Sequence, residues 1–161
     1  MNAGRSVELP IAVGNLAHPE RARSSIPRRL TVEDHARVRL MIVDGNADVR
    51  RVIRQIVGDL AADVYECPTP VDAFSTYARI RPDVVVMDLS IPPCDGIWAT
   101  RQIIGLYPQA VIVLIAPYPD AMFRVTAVRA GARGFVLKEN LFDLRQWLAA
   151  WTPEPLKGER T

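Results

Sequence analysis

Three charged residues each stand at the end of a short apolar run. Asp44 follows residues 40–43, Asp88 follows residues 84–87, and Lys138 follows residues 135–137. Carboxylate oxygens suit Mg²⁺, which proteins commonly hold with one or two carboxylates while water and phosphate complete the shell. A lysine ammonium is a point charge that suits a phosphate oxygen. These residue types therefore indicate a site for a divalent cation and a phosphoryl group.

Such a site requires that the three apolar runs be strands of one parallel sheet. Five runs bounded by turn residues are predicted as strands: residues 40–43, 64–65, 84–87, 111–115 and 135–137. Three of them are continuously apolar and β-branched, as expected for strands that are covered on both faces. In a doubly wound sheet, ligands bind outside the carboxyl ends of the strands. The residues found there are Asp44, Asp88, Ala116 and Lys138.

The segments between these runs have helical spacing and complete five βα units. The predicted helices cover residues 49–60, 70–78, 96–107, 121–131 and 141–152. Thr69 is predicted to cap the second helix, with Pro70 in its first position. Asp48 is the expected cap of the first helix. Trp147 lies off the apolar stripe of the fifth helix and is expected to be exposed.

The alternation of strands and helices predicts an α/β fold, and length and composition predict one domain. Of 161 residues, 49% are hydrophobic, which is enough for a core. We expect a disordered extension at residues 1–36, a domain at residues 37–152 and a tail at residues 153–161, too short for an output domain. The net charge of +2 is too small to predict nucleic-acid or membrane binding, and we expect neither. No apolar run approaches the roughly 20 residues of a membrane helix, so a cytoplasmic protein is expected.

Three segments carry a family resemblance. They are RPDVVVMDLSIPPCDG at residues 81–96, AGARGFVLK at residues 130–138 and MIVDGNADVR at residues 41–50. In this order and spacing, over about residues 38–151, they resemble the CheY-like receiver domains of two-component response regulators. The resemblance implies a flavodoxin-like fold, with five helices around a parallel sheet of strand order 2-1-3-4-5.

The resemblance also implies roles for individual residues. Asp88 would accept a phosphoryl group from a histidine kinase or a phosphotransfer protein, and Lys138 would offset the charge on the phosphoryl oxygens. Asp44, Asp88 and the backbone carbonyl of Ser90 would hold Mg²⁺. Ala116 and Phe135 occupy the switch positions. We expect the chain to be a phospho-acceptor rather than an enzyme, to signal to a downstream protein and to be able to form a homodimer. It has no helix-turn-helix for direct nucleic-acid binding.

Two positions depart from the family pattern. Gly45 replaces the second acid after the first strand, so weak Mg²⁺ binding is expected unless Asn46 or Asp48 compensates. Ala116 stands where the family has Ser or Thr, whose hydroxyl binds the phosphoryl group. A hydrogen bond to a charged group contributes roughly 1.5–3 kcal/mol, so the switch is expected to be weakened.

Two functions remain open on the sequence alone. The first is a single-domain response regulator that is phosphorylated on Asp88 and acts by protein contact. The second is a pseudo-receiver, a protein interaction module that works without phosphorylation. An aspartate-nucleophile phosphatase is rejected, because its acid/base carboxylate would stand at Ser90. A flavin-binding domain is rejected because residues 44–48 are acidic where a phosphate would lie.

Overall fold

Five parallel strands form one sheet in the order β2-β1-β3-β4-β5, as predicted. The computed structural model describes residues 38–91 and 95–151, so the predicted extension and tail lie outside the described residues. The strands are β1 (Arg39–Val43), β2 (Asp63–Cys67), β3 (Val84–Asp88), β4 (Ile112–Ala116) and β5 (Gly134–Leu137). The edge strand β2 is longer than the two residues predicted. It carries polar residues at an exposed edge of the sheet, and a search for apolar runs does not detect these.

Five helices connect and follow the strands. They are α1 (Ala47–Val57), α2 (Pro70–Ile80), α3 (Gly96–Leu106), α4 (Ala121–Ala130) and α5 (Phe142–Ala150), and a 3-10 turn, Lys138–Asn140, precedes α5. The Thr69 side chain accepts a hydrogen bond from the Asp72 amide, so the predicted cap of α2 is confirmed. The first helix ends three residues before its predicted end.

Two apolar layers sandwich the sheet. Alternate strand residues point to opposite faces. Met41, Val85 and Leu114 lie in the layer shared with α2, α3 and α4. Their neighbours in sequence lie in the layer shared with α1 and α5. Since both faces are covered, polar groups with a function are left to the ends of the strands.

The prediction that Asp48 caps the first helix is wrong. Asn46 caps α1, and its side chain accepts a hydrogen bond from the Asp48 amide at 2.9 Å. The Asp48 carboxylate instead forms an ion pair with Arg51 within the first turn of the helix. Both residue types cap helices well, so composition alone did not decide between them.

Trp147 is buried, contrary to the expectation that it is exposed. Only 6% of the residue is accessible, and it belongs to the apolar layer under α5. A Cβ atom added at Gly134 would stand 2.9 Å from Trp147 Nε1, so this glycine leaves the room that the indole fills on β5. Trp147 also lies three residues after the buried Leu144, a spacing that puts both on one helix face.

Candidate functional site

Asp44, Asp88 and Lys138 meet at the carboxyl ends of the strands. Lys138 Nζ lies 2.8 Å from Asp44 Oδ2 and 3.0 Å from Asp88 Oδ2. Both aspartates are buried, with 1% and 6% of their surface exposed, while the lysine side chain keeps 24%. The strand order explains this meeting, because β1 and β3 are neighbours and β5 lies beyond β4.

The charges of the three groups do not cancel. Two carboxylates facing one ammonium leave one negative charge if all are ionised. Burial lowers the pKa of Lys138, but the contacts and charges of Asp88 and Asp44 raise it by more, so its pKa lies above the ordinary value. The stabilisation from this raised pKa is fully present at neutral pH and is lost only as the pH rises through the lysine pKa.

The backbone around Asp44 is held from three directions. Its amide donates to the Cys67 carbonyl at 3.2 Å, and its own carbonyl accepts from Arg50 Nη1 at 2.7 Å. Asp44 Oδ1 accepts from the Asn46 amide at 2.7 Å. Arg50 was not singled out from the sequence, since an arginine on a helix face carries no signal of a contact to a strand end.

Asp88 and the residue after it contact the start of α3. Asp88 Oδ1 accepts a hydrogen bond from the Ser90 amide at 3.1 Å, and the Gly96 amide donates to the Leu89 carbonyl at 2.9 Å. A Cβ atom at Gly96 would overlap the carbonyl oxygen of Asp88. Glycine is therefore required where α3 begins, which gives a physical reason for the Asp-Gly pair of the motif. Residues 92–94 lie outside the described residues.

The surroundings of Gly45 fit a Mg²⁺ site with few protein ligands. Asp44 Oδ2 is buried and accepts no hydrogen bond, although Lys138 lies beside it as an ion pair. Asn46 and Asp48, the two candidates for compensation, are engaged in capping α1 and in an ion pair. In residues 38–91 and 95–151, no cluster of three or more His, Cys, Asp or Glu residues could hold a metal. Two carboxylates still suffice for Mg²⁺, which takes most of its shell from water and phosphate.

The two residues that the resemblance assigns to the switch, Ala116 and Phe135, lie on neighbouring strands. Ala116 is the fully buried last residue of β4 and pairs with Leu137, directly before Lys138. Phe135 is 3% exposed, and the guanidinium carbon of Arg124 lies 5.1 Å from the centre of its ring. The Phe135 ring is thus packed in the interior of the domain.

Comparison with known proteins decides the family. The model of the response regulator receiver domain matches residues 40–149. The chain belongs to this family. This confirms the resemblance drawn from the three motifs, and receiver domains are signalling phospho-acceptors that generally bind Mg²⁺ and interact with histidine kinases and effectors.

Individual relatives agree with this assignment. The receiver is 30% identical over 102 residues to chemotaxis protein CheY of Listeria monocytogenes, covering 63% of this chain and 86% of that protein. It is 32% identical to oxygen regulatory protein NreC of Staphylococcus haemolyticus, covering 76% of this chain and 56% of the relative. A crystal structure of a LuxR-family two-component response regulator from Aurantimonas sp. SI85-9A1 is 34% identical, with a TM-score of 0.65, and the match covers 68% and 80% of the two chains.

Within the described part of this receiver, the helices are all too short or too polar to cross a membrane.

Proposed function

We propose that this receiver accepts a phosphoryl group on Asp88 in a two-component phosphorelay and signals by protein contact. The observation that carries the proposal is the Lys138 ammonium, 3.0 Å from a buried Asp88 carboxylate. An ammonium in this position offsets charge that gathers on phosphoryl oxygens. The test is intact-mass measurement of the protein after incubation with Mg²⁺ and acetyl phosphate. We expect a mass increase of one phosphoryl group, and an unchanged mass would contradict the proposal.

The proposed reaction is a direct transfer to oxygen. A carboxylate oxygen of Asp88 forms a bond to phosphorus, the phosphorus–nitrogen bond of a phosphohistidine breaks, and the electron pair leaves with the imidazole nitrogen. Asp44, Asp88 and the Ser90 carbonyl would hold Mg²⁺, which when bound supplies positive charge at the phosphoryl oxygens. Lys138 contributes a second positive charge from β5.

We expect the variant Gly45→Asp to bind Mg²⁺ more tightly than the wild type, on the order of tenfold, because carboxylate ligands raise the affinity for a hard cation. The new side chain has room, since a Cβ atom there would lie 3.7 Å from the Pro68 carbonyl oxygen and 3.9 Å from Ile91. Calorimetric titration measures both affinities. The control is Gly45→Asn, which adds nearly the same volume without the charge. Equal affinities in Gly45→Asp and wild type would contradict weak binding.

Signalling would require that residues 116–151 change conformation when the phosphoryl group is added, and the alanine at position 116 limits that change. A phosphoryl group shifts a two-state equilibrium only through its different affinity for the two states. Without a hydroxyl at position 116, much of that difference is missing. The exposed apolar side chains Met122, Val125 and Val128 on α4 offer a contact surface for a downstream protein.

Wild-type amide exchange along residues 116–151 is expected to change little when a phosphate mimic such as beryllofluoride is added. The variant Ala116→Thr should respond strongly, because a hydroxyl bond to a charged group shifts an equilibrium by roughly ten- to a hundredfold. Ala116→Val is the matched control, with similar volume and no hydroxyl. Hydrogen exchange of the three proteins decides it. A large wild-type response, equal to that of the threonine variant, would show that the hydroxyl is not needed.

The missing hydroxyl also favours one alternative function. If Asp88 is not phosphorylated, the chain is a pseudo-receiver. The exposed apolar side chains of α4 then have one conformation, in which they bind the partner. The intact-mass experiment separates the two functions, because only the phospho-acceptor gains mass.

A further inference from the structure

One arginine joins the edge of the sheet to the backbone of the site. Arg50 Nε donates to Glu66 Oε2 on β2 at 2.9 Å, and its Nη1 donates to the Asp44 carbonyl at 2.7 Å. The Arg50 side chain is only 15% exposed. A guanidinium is planar and presents its donors at fixed angles, so holding both acceptors also fixes their relative position.

The backbone at Asp44 needs such a contact. The next residue is Gly45, and glycine allows the chain more conformations than any other residue. Asp44 Oδ1 accepts a hydrogen bond from the Asn46 amide and Oδ2 pairs with Lys138, and both contacts require that the backbone direct the side chain toward them. A bond to the Asp44 carbonyl constrains that direction immediately before the glycine.

The ion pair that anchors Arg50 is intact at neutral pH. The hydrogen bond from Arg50 is the largest cause that lowers the pKa of Glu66, burial opposes it, and Arg54 adds to the lowering. Because this pKa is below its ordinary value, the stabilisation is present above the ordinary glutamate pKa and is lost only as the pH falls through the lowered value.

We propose that Arg50 is a positioning residue of the phosphorylation site, which holds the Asp44 carboxylate opposite Lys138 and Asp88. Its effect on phosphorylation rests on the proposed function. Its effect on the geometry of Asp44 does not.

The chain offers a matched control for this proposal. Arg54 Nη1 donates to the other oxygen of Glu66 at 3.1 Å, and its side chain is 55% exposed. Arg50 and Arg54 both lie on α1, and Arg50→Gln and Arg54→Gln therefore each remove one cation that contacts the Glu66 carboxylate on β2. Only Arg50→Gln also removes the contact to the Asp44 carbonyl.

The first measurement is NMR of the Asn46 amide, which donates to Asp44 Oδ1. We expect its exchange to quicken on the order of tenfold in Arg50→Gln, because the loss of a hydrogen bond from a charged group frees the backbone at Asp44, and to stay near the wild-type rate in Arg54→Gln. This measurement needs no phosphorylation, so its outcome does not depend on the proposed function. Equal changes in the two variants would overturn the proposal.

The second measurement is the rate of phosphorylation by acetyl phosphate together with Mg²⁺ affinity. Outer groups that orient metal ligands typically contribute ten- to a hundredfold, so we expect a loss of about tenfold in Arg50→Gln. Arg50→Lys keeps the charge but lacks the planar fork that reaches both acceptors. It should therefore retain the defect at the Asn46 amide, and it also serves if Arg50→Gln does not fold. Full recovery in Arg50→Lys would mean that charge alone matters, which would overturn the positioning role. A wild type that takes no phosphoryl group, with the Asn46 result intact, would refute only the proposed function.

Discussion

Asp88→Asn is expected to lose phosphorylation completely. The substitution removes the carboxylate that we propose attacks phosphorus, while its amide oxygen still accepts the hydrogen bond that the Ser90 amide donates to Oδ1 at 3.1 Å. The loop should therefore keep its conformation, and the loss would report chemistry rather than unfolding. The measurement is intact mass after treatment with Mg²⁺ and acetyl phosphate.

A nearby aspartate supplies the control for this substitution. Asp95 caps α3, its side chain accepting from the Trp98 amide at 2.7 Å, and asparagine caps helices about as well as aspartate. Asp95→Asn should thus fold and gain the phosphoryl group as the wild type does. A phosphoryl adduct that persists in Asp88→Asn would place the acceptor elsewhere.

Lys138→Met is expected to lower the free energy of unfolding by about 2 kcal/mol. Removing one partner of a fully buried ion pair costs about 3–5 kcal/mol, and we expect less here because the lysine side chain is 24% exposed. The variant leaves Asp44 and Asp88 facing each other without the ammonium. Urea unfolding at neutral pH measures the change.

Two further measurements make this expectation specific to the charges. Adding Asn at position 44 to the methionine variant removes one carboxylate, so Lys138→Met with Asp44→Asn should recover much of the lost stability. If Mg²⁺ binds the folded state as proposed, it should stabilise Lys138→Met more than the wild type, because the cation replaces the missing charge. If the double variant is no more stable than Lys138→Met, the loss comes from packing of the lysine stem and the ion pairs contribute little.

The sequence predicted the fold because its strongest signals are periodic. The apolar runs of β1, β3 and β4 and the stripes of the helices are visible without any tertiary contact. The edge strand β2 was underestimated, since only Val64 and Tyr65 stood out as an apolar pair there. Asn46 as the cap of α1 was missed because Asp48, two residues on, is an equally good capping type.

Of the residues at the site, the sequence likewise predicted some and missed others. Asp44, Asp88 and Lys138 were predictable because each ends an apolar run, and strand order then brings both carboxylates within 3.0 Å of the Lys138 ammonium. Arg50 was not predicted, since nothing in the sequence indicates which carboxylate or carbonyl an arginine on a helix face contacts. The burial of Trp147 was missed because it depends on the space that Gly134 leaves on another element.

The pairing of Gly134 with Trp147 has a consequence for how this receiver evolves. The indole fills the space that a side chain at position 134 would need, so position 134 is not free to gain a side chain while Trp147 is in place. A larger residue on the strand requires a smaller one on the helix, and the intermediate with both large side chains is overpacked and less stable. In the lineage of this chain, replacement of Trp147 by a smaller residue should therefore precede any loss of Gly134.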